Sequence, residues 1–168
     1  NAAKMWRSLV SDCKWTPRSA YTVQMPNTYV CLPGFDVDSD ELQRAKIAAA
    51  PAHIAIIAAA IMQDDLSATP RDMVTRGRFA RLKTSVIYPS FKHNGVKPQR
   101  FVVSDACTGC GTCMRTCPMY NISMKDGKPL WGNNCAMCLA CYHRCPAHAV
   151  MYGHTTRHKG QYRGPETT

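Results

Sequence analysis

Acidic residues are scarce in this chain. Its 168 residues hold 11 Asp and Glu against 21 Lys and Arg, a formal charge of +10. Long apolar runs are missing too. The longest, 47–62, has 16 residues, is mostly alanine and contains Pro51 and His53, whereas a bilayer span takes roughly 20 apolar residues. The expectation is therefore no membrane span. The start, Asn1-Ala-Ala-Lys-Met-Trp, lacks an apolar h-region and a cleavage site, so no export signal is read there, and a first residue other than Met is expected to be a truncated or processed start. Glycine is sparse in the first hundred residues: Gly34, Gly77 and Gly95 are isolated and form no phosphate-binding loop. No acid–base pair or activated nucleophile stands out, so the reading is not an enzyme. A hydrophobic fraction of 45% excludes disorder for the whole chain.

What the chain has in excess is cysteine: ten, of which eight fall between Cys107 and Cys145. Without an export signal, dense cysteine favours metal or redox work over disulfides. That step in composition marks the main boundary, and four parts are expected: 1–66, 67–100, 101–153 and 154–168. Residues 1–66 read as helix, strand, helix. Tyr21-Thr-Val-Gln-Met-Pro has the form of a short strand ended by an X-Pro turn. Asp38 and Glu41 have capping-box spacing, and Leu42, Ile47, Ile54, Ile57 and Ile61 suit one helical face, with a kink or restart at Pro51. A core-facing helix is favoured over a membrane-surface helix because the polar face is not basic. Residues 67–100 carry eight Lys or Arg against one acid, Asp72, and read as a basic connector with a short helix near 72–83. Clustered positive charge attracts phosphate, but few aromatics interleave and no nucleic-acid motif is present, so no nucleic-acid partner is expected.

Residues 107–118 read Cys107-Thr-Gly-Cys110-Gly-Thr-Cys113-Met-Arg-Thr-Cys117-Pro118, and 135–146 read Cys135-Ala-Met-Cys138-Leu-Ala-Cys141-Tyr-His-Arg-Cys145-Pro146. Each is C-x2-C-x2-C-x3-C-P, the run that holds [4Fe–4S] clusters. A shift of 28 residues superposes all the cysteines and prolines, Val103 on Trp131, and Ile122 on Val150. Each half is thus expected to be strand, cysteine loop, short helix, strand, with the Asp126-Gly127 turn joining 122–124 to 129–131 as a hairpin. Three thiolates at i, i+3 and i+6 wrap one face of a cubane, and the fourth serves the other cluster. Cluster 1 is expected on Cys107, Cys110, Cys113 and Cys145, and cluster 2 on Cys135, Cys138, Cys141 and Cys117. Domains of this size need such staples, so the apo domain is expected to be unfolded or molten.

Gly109 and Gly111 let the backbone approach sulfide. Met114, Met119, Met124, Met137, Met151, Tyr120, Tyr142 and Trp131 are read as an apolar jacket. Two oxidised clusters, each with four thiolates at net −2, lower the charge from +10 to about +6. The competing reading is two zinc ions with four thiolates each; zinc requires only two C-x2-C pairs per site, so the third and fourth spacings are surplus to it. Cys13 and Cys31 read as buried small hydrophobes. His143, His148, His154 and His158 read as solvated rather than as ligands.

On these motifs, 101–153 resembles a bacterial two-cluster [4Fe–4S] ferredoxin. The flanks, Trp131-Gly-Asn-Asn-Cys135 and Arg157-His-Lys-Gly-Gln-Tyr-Arg-Gly-Pro165, are similar to a family in which a flavodoxin-like domain precedes such a ferredoxin. Met25-Pro-Asn-Thr-Tyr29 resembles the end of its flavodoxin half, and 38–62 matches the last helix in position. The resemblance implies an α+β chain: a pseudo-symmetric ferredoxin-like domain with two [4Fe–4S] clusters, preceded by an incomplete flavodoxin-like α/β segment over 1–66. That segment is either a piece of a doubly wound domain or packs differently. FMN is expected only if a complete flavodoxin domain exists elsewhere. The implied function is one-electron transfer, 2+/1+ at each cluster, in the bacterial cytoplasm, with an acidic or flavin-containing redox partner. The alternative is the ferredoxin portion of a larger flavin-dependent oxidoreductase.

Overall fold

The computed structural model describes residues 2–16, 19–62, 72–75, 82, 85–86, 88–89 and 97–164. Most of the basic connector over 67–100 lies outside them. The chain divides into two compact units, Asn1–Met25 with Asp40–Pro89, and Pro26–Ser39 with Ser90–Thr168.

In the first unit, α1 (Ala2–Asp12) is followed by β1 (Ala20–Tyr21), α2 (Asp40–Met62) and β2 (Asp72–Met73). β1 and β2 pair in parallel, Ala20 opposite Asp72 and Tyr21 opposite Met73, and Thr75 N–H donates to Thr22 Oγ1 at 2.9 Å. The order is strand, helix, parallel strand, as in a βαβ crossover. Several expectations are corrected here. The strand covers two residues rather than 21–26. Residues 72–73 are extended rather than helical, while most of the helix expected over 72–83 falls outside the described residues. α2 runs through Pro51 without a break and has 23 residues.

Nor does α2 face a core. Only Ala50 and Ala60 are buried, while Leu42, Ile54, Ile56 and Ile61 are exposed and Met62 is 86% exposed. Among the described residues of this unit, a pair of two-residue strands offers too little surface to cover a helix of six turns. Its apolar 18-residue stretch has a mean hydropathy of 1.8, long and apolar enough to cross a membrane by length and composition. Cys13, expected to be buried, is exposed just beyond α1.

The second unit repeats itself at the interval read from sequence. β3 (Phe101–Val103), α3 (Thr112–Arg115) and β4 (Ile122–Lys125) are followed by β5 (Lys128–Trp131), α4 (Ala140–His143) and β6 (Val150–Tyr152). The two helices lie 28 residues apart at both ends. Each sheet takes one strand from each half: β3 pairs antiparallel with β6, and β4 with β5. The expected hairpin forms, one residue longer on each side, around Asp126 and Gly127, both at positive φ as a tight two-residue turn demands. Phe101 binds the halves together, stacked on Trp131 at 5.4 Å and edge-on to Tyr152 at 5.0 Å.

Segment 26–39 inserts Val30 and Cys31 into this core. Asn27 organises it: the backbone N–H donates to Asp38 Oδ2 at 2.8 Å, and the side-chain amide donates to the Tyr29 and Asp36 carbonyls. Lys159 Nζ then donates to the carbonyls of both Val30 and Leu32 at 2.6 Å. His143 is buried, correcting the solvated reading. Its Nδ1 accepts Tyr162 N–H at 3.1 Å, so Nε2 carries the proton and donates to Thr28 O at 2.7 Å. Burial holds this imidazole below its ordinary pKa, consistent with the neutral form. Tyr142, fully buried, places its hydroxyl 2.8 Å from Lys159 O and 3.0 Å from His148 Nε2. His154 and His158 are exposed, as expected.

Replacing Lys159 with Met strips two carbonyls of a charged donor. Lys159→Met is expected to lower the stability of the cysteine unit by about 2 kcal/mol. Urea titration of the metal-loaded chain checks this, and cleavage within 26–39 should rise in parallel.

Candidate functional site

The cysteine loops wind because four residues take left-handed backbone angles at matched positions. Gly109 and Gly111 have φ of 70°, and 28 residues later Met137 and Leu139 have φ of 51° and 61°. These turns carry the chain around a space, leaving the first three cysteines of each run on its wall. For Met and Leu the conformation costs roughly 1–2 kcal/mol each, offset by the burial of both side chains in the core. At Gly109 a side chain is excluded: a Cβ would lie 2.8 Å from Gly127 O. The Asp126-Gly127 turn therefore rests directly on the first loop.

Two cavities of matched size result, each partly open to solvent. Cys107, Cys110, Cys113 and Cys145 line the first, with Met124, Pro129 and Val150 completing an apolar wall. Cys117, Cys135, Cys138 and Cys141 line the second, against Phe101, Ile122, Trp131 and Leu139. Each cavity thus takes three cysteines from one run and the fourth from the other. Of the expected jacket, Met137 and Tyr142 are buried and Met124, Met151 and Trp131 half-buried, whereas Met114 and Met119 are partly exposed and Tyr120 is 93% exposed. Tyr120 has a left-handed φ of 49°.

The thiols are hydrogen-bonded in ways that suit thiolate. Asn121 N–H donates to Cys117 Sγ at 3.3 Å, and its counterpart Ala149 N–H donates to Cys145 Sγ at 3.3 Å. Met137 N–H donates to Cys135 Sγ at 3.4 Å, and Thr112 Oγ1 lies 3.3 Å from Cys110 Sγ. That hydroxyl holds the exposed Cys110 thiol below its ordinary value. Burial acts in the opposite sense on Cys113 and Cys135, and pushes Cys141 up to about 12. Buried thiols of this kind stay protonated near neutral pH unless a cation replaces the proton. The Trp131 indole N–H is buried on the wall of the second cavity, where it acts on the Cys141 thiol against the rise from burial.

A single zinc fits less well. Four thiolates on one zinc, at Zn–S near 2.3 Å, sit about 3.8 Å apart. Among the described residues no three His, Cys, Asp or Glu side chains converge closely enough to hold one metal ion.

Three cationic contacts were not foreseen. Arg115 Nη1 donates to Cys110 O at 2.9 Å, Lys128 Nζ to Cys107 O at 3.3 Å, and Arg163 Nη2 to Cys145 O at 3.3 Å. The signal that could have found the first is a break in the repeat, where Arg115 corresponds to His143. Cys31, outside both sets, is buried as expected and is raised to about 11 by that burial.

A family model described as the 4Fe-4S dicluster domain matches residues 106–150, which contain all eight cysteines. No curated protein matches the chain, and no solved structure does. The match, with this donor set, supports iron–sulfur cluster binding by a ferredoxin-like segment, within a chain of mixed helix and small sheets.

Gly109→Ala is expected to destabilise the cysteine unit by at least about 2 kcal/mol, because left-handed strain adds to the clash with Gly127 O. Gly34→Ala, at a similar φ of 75° with nothing within 4 Å, should cost only the strain. Urea midpoints of the two loaded variants measure the difference.

Proposed function

We propose that this chain is an electron-transfer protein with two [4Fe–4S] clusters. One is held by Cys107, Cys110, Cys113 and Cys145, the other by Cys135, Cys138, Cys141 and Cys117. The observation that carries the reading is the pair of equal cavities, each walled by four thiols drawn three and one from the two runs. Bound there, such a cluster supplies a one-electron couple, 2+ to 1+, with no bond made to a substrate. The chain's residues do the rest. Thiolates anchor the iron, backbone N–H groups and the Thr112 hydroxyl stabilise charge on sulfur, and the apolar walls limit water. The 28-residue recurrence of helices, positive φ values and N–H to sulfur bonds supports a pseudo-symmetric ferredoxin fold.

A second reading makes this segment the ferredoxin portion of a larger flavin-dependent oxidoreductase, with FMN bound by a flavodoxin domain elsewhere. It is favoured by the parallel β1 and β2 on either side of α2, an order that suits a doubly wound domain. Under both readings the partner is an acidic or flavin-containing redox protein, and the compartment is the cytoplasm.

Iron and acid-labile sulfide after anaerobic purification test the reading. About eight of each per chain are expected for two clusters; little iron with about two zinc ions overturns it. Cys117→Ser tests the ligand sets. It should damage the cluster of the second run and spare that of Cys107, Cys110 and Cys113, and the opposite pattern refutes the crossover.

A further inference from the structure

The two cavities are matched in almost everything that sets a cluster's potential. Each has one exposed cysteine, Cys110 or Cys138, and one deeply buried at 8% exposure, Cys113 or Cys141. Each has a backbone N–H on the sulfur of its fourth cysteine, Ala149 on the first and Asn121 on the second; the first adds the Thr112 hydroxyl beside Cys110 and the second Met137 N–H on Cys135. They differ in charge. The described hydrogen bonds from cationic side chains to carbonyls of these eight cysteines all fall on the first cavity, from Arg115, Lys128 and Arg163. Between their first and last cysteines the two runs carry one formal cation each, Arg115 and Arg144, and of these Arg115 is the one with a described hydrogen bond to a cysteine carbonyl. Where the first loop has Gly109, Gly111, Thr112 and Arg115, the second has Met137, Leu139, Ala140 and His143. Lys159, which donates to Val30 and Leu32, and Arg100, over the Tyr152 ring, stand beside Cys31 and make no described hydrogen bond to a cysteine of either set. The second cavity's own extra donor, Trp131 N–H, is neutral and weaker than a charged one.

Reduction adds one negative charge, which nearby cations stabilise and an apolar wall does not. We propose that the two sites have unequal reduction potentials and that the first electron rests in the Cys107, Cys110, Cys113 and Cys145 cavity, with Arg115 and Lys128 setting the difference. The inference rests on the electron-transfer reading above. The donor is a low-potential one-electron reductant; one electron enters, and no bond forms or breaks.

An anaerobic redox titration with dithionite, followed by electron paramagnetic resonance, tests it on the loaded chain. The wild type should show two resolved one-electron steps. Arg115→Gln and Lys128→Gln replace exposed side chains outside the thiol sets. Each should move the higher step to lower potential and leave the other in place. One merged step in a fully loaded chain, a shift confined to the lower step, or no shift in either variant overturns the inequality while leaving electron transfer standing. A chain that binds no iron and sulfide ends both.

Discussion

Neither half of the cysteine domain closes its own cavity. Cys145 stands among the three thiols of the first run and Cys117 among those of the second, and this exchange constrains everything nearby. The short helices α3 and α4 must follow their loops at once so that the fourth cysteine crosses to the far site. The sheets must then mix strands from both halves, β3 with β6 and β4 with β5. Phe101, in contact with both Trp131 and Tyr152, sits where the exchange leaves an apolar seam. A domain with so small a core gains cohesion from this interlocking that its buried area alone would not supply.

The second layer of support comes from outside the repeat. Segment 26–39 and residues 154–164 clasp α4 from two sides through Tyr142, His143 and Lys159. α3 has no such cover, and Met114 and Arg115 stay at the surface. The domain is therefore symmetric in its thiols and asymmetric in its surroundings, with one loop packed in apolar side chains and the other fringed by cations.

The cysteine sets, the repeat and the hairpin were legible because each rests on local spacing: ligand geometry fixes i, i+3 and i+6, and Asp-Gly fixes the turn. The rest was not, for identifiable reasons. Met137 and Leu139 take left-handed angles that their residue types disfavour, and only the parallel with Gly109 and Gly111 hints at it. His143 looked solvated because its partners, Thr28 and Tyr162, are distant in sequence. The apolar pattern of α2 was read as a core face, yet few of those side chains are buried. Periodicity reports which residues a helix would bury, not whether a partner surface is at hand.

The clasp also has a consequence in time. Val30 and Lys159 are separated by 129 positions. At translation rates of about 5–20 residues per second, on the order of ten seconds pass between the synthesis of one and the other. Throughout that interval Cys31 has no core to enter. A thiol that ends buried begins its life open to oxidants, so the nascent chain needs a reducing environment well before any cofactor arrives.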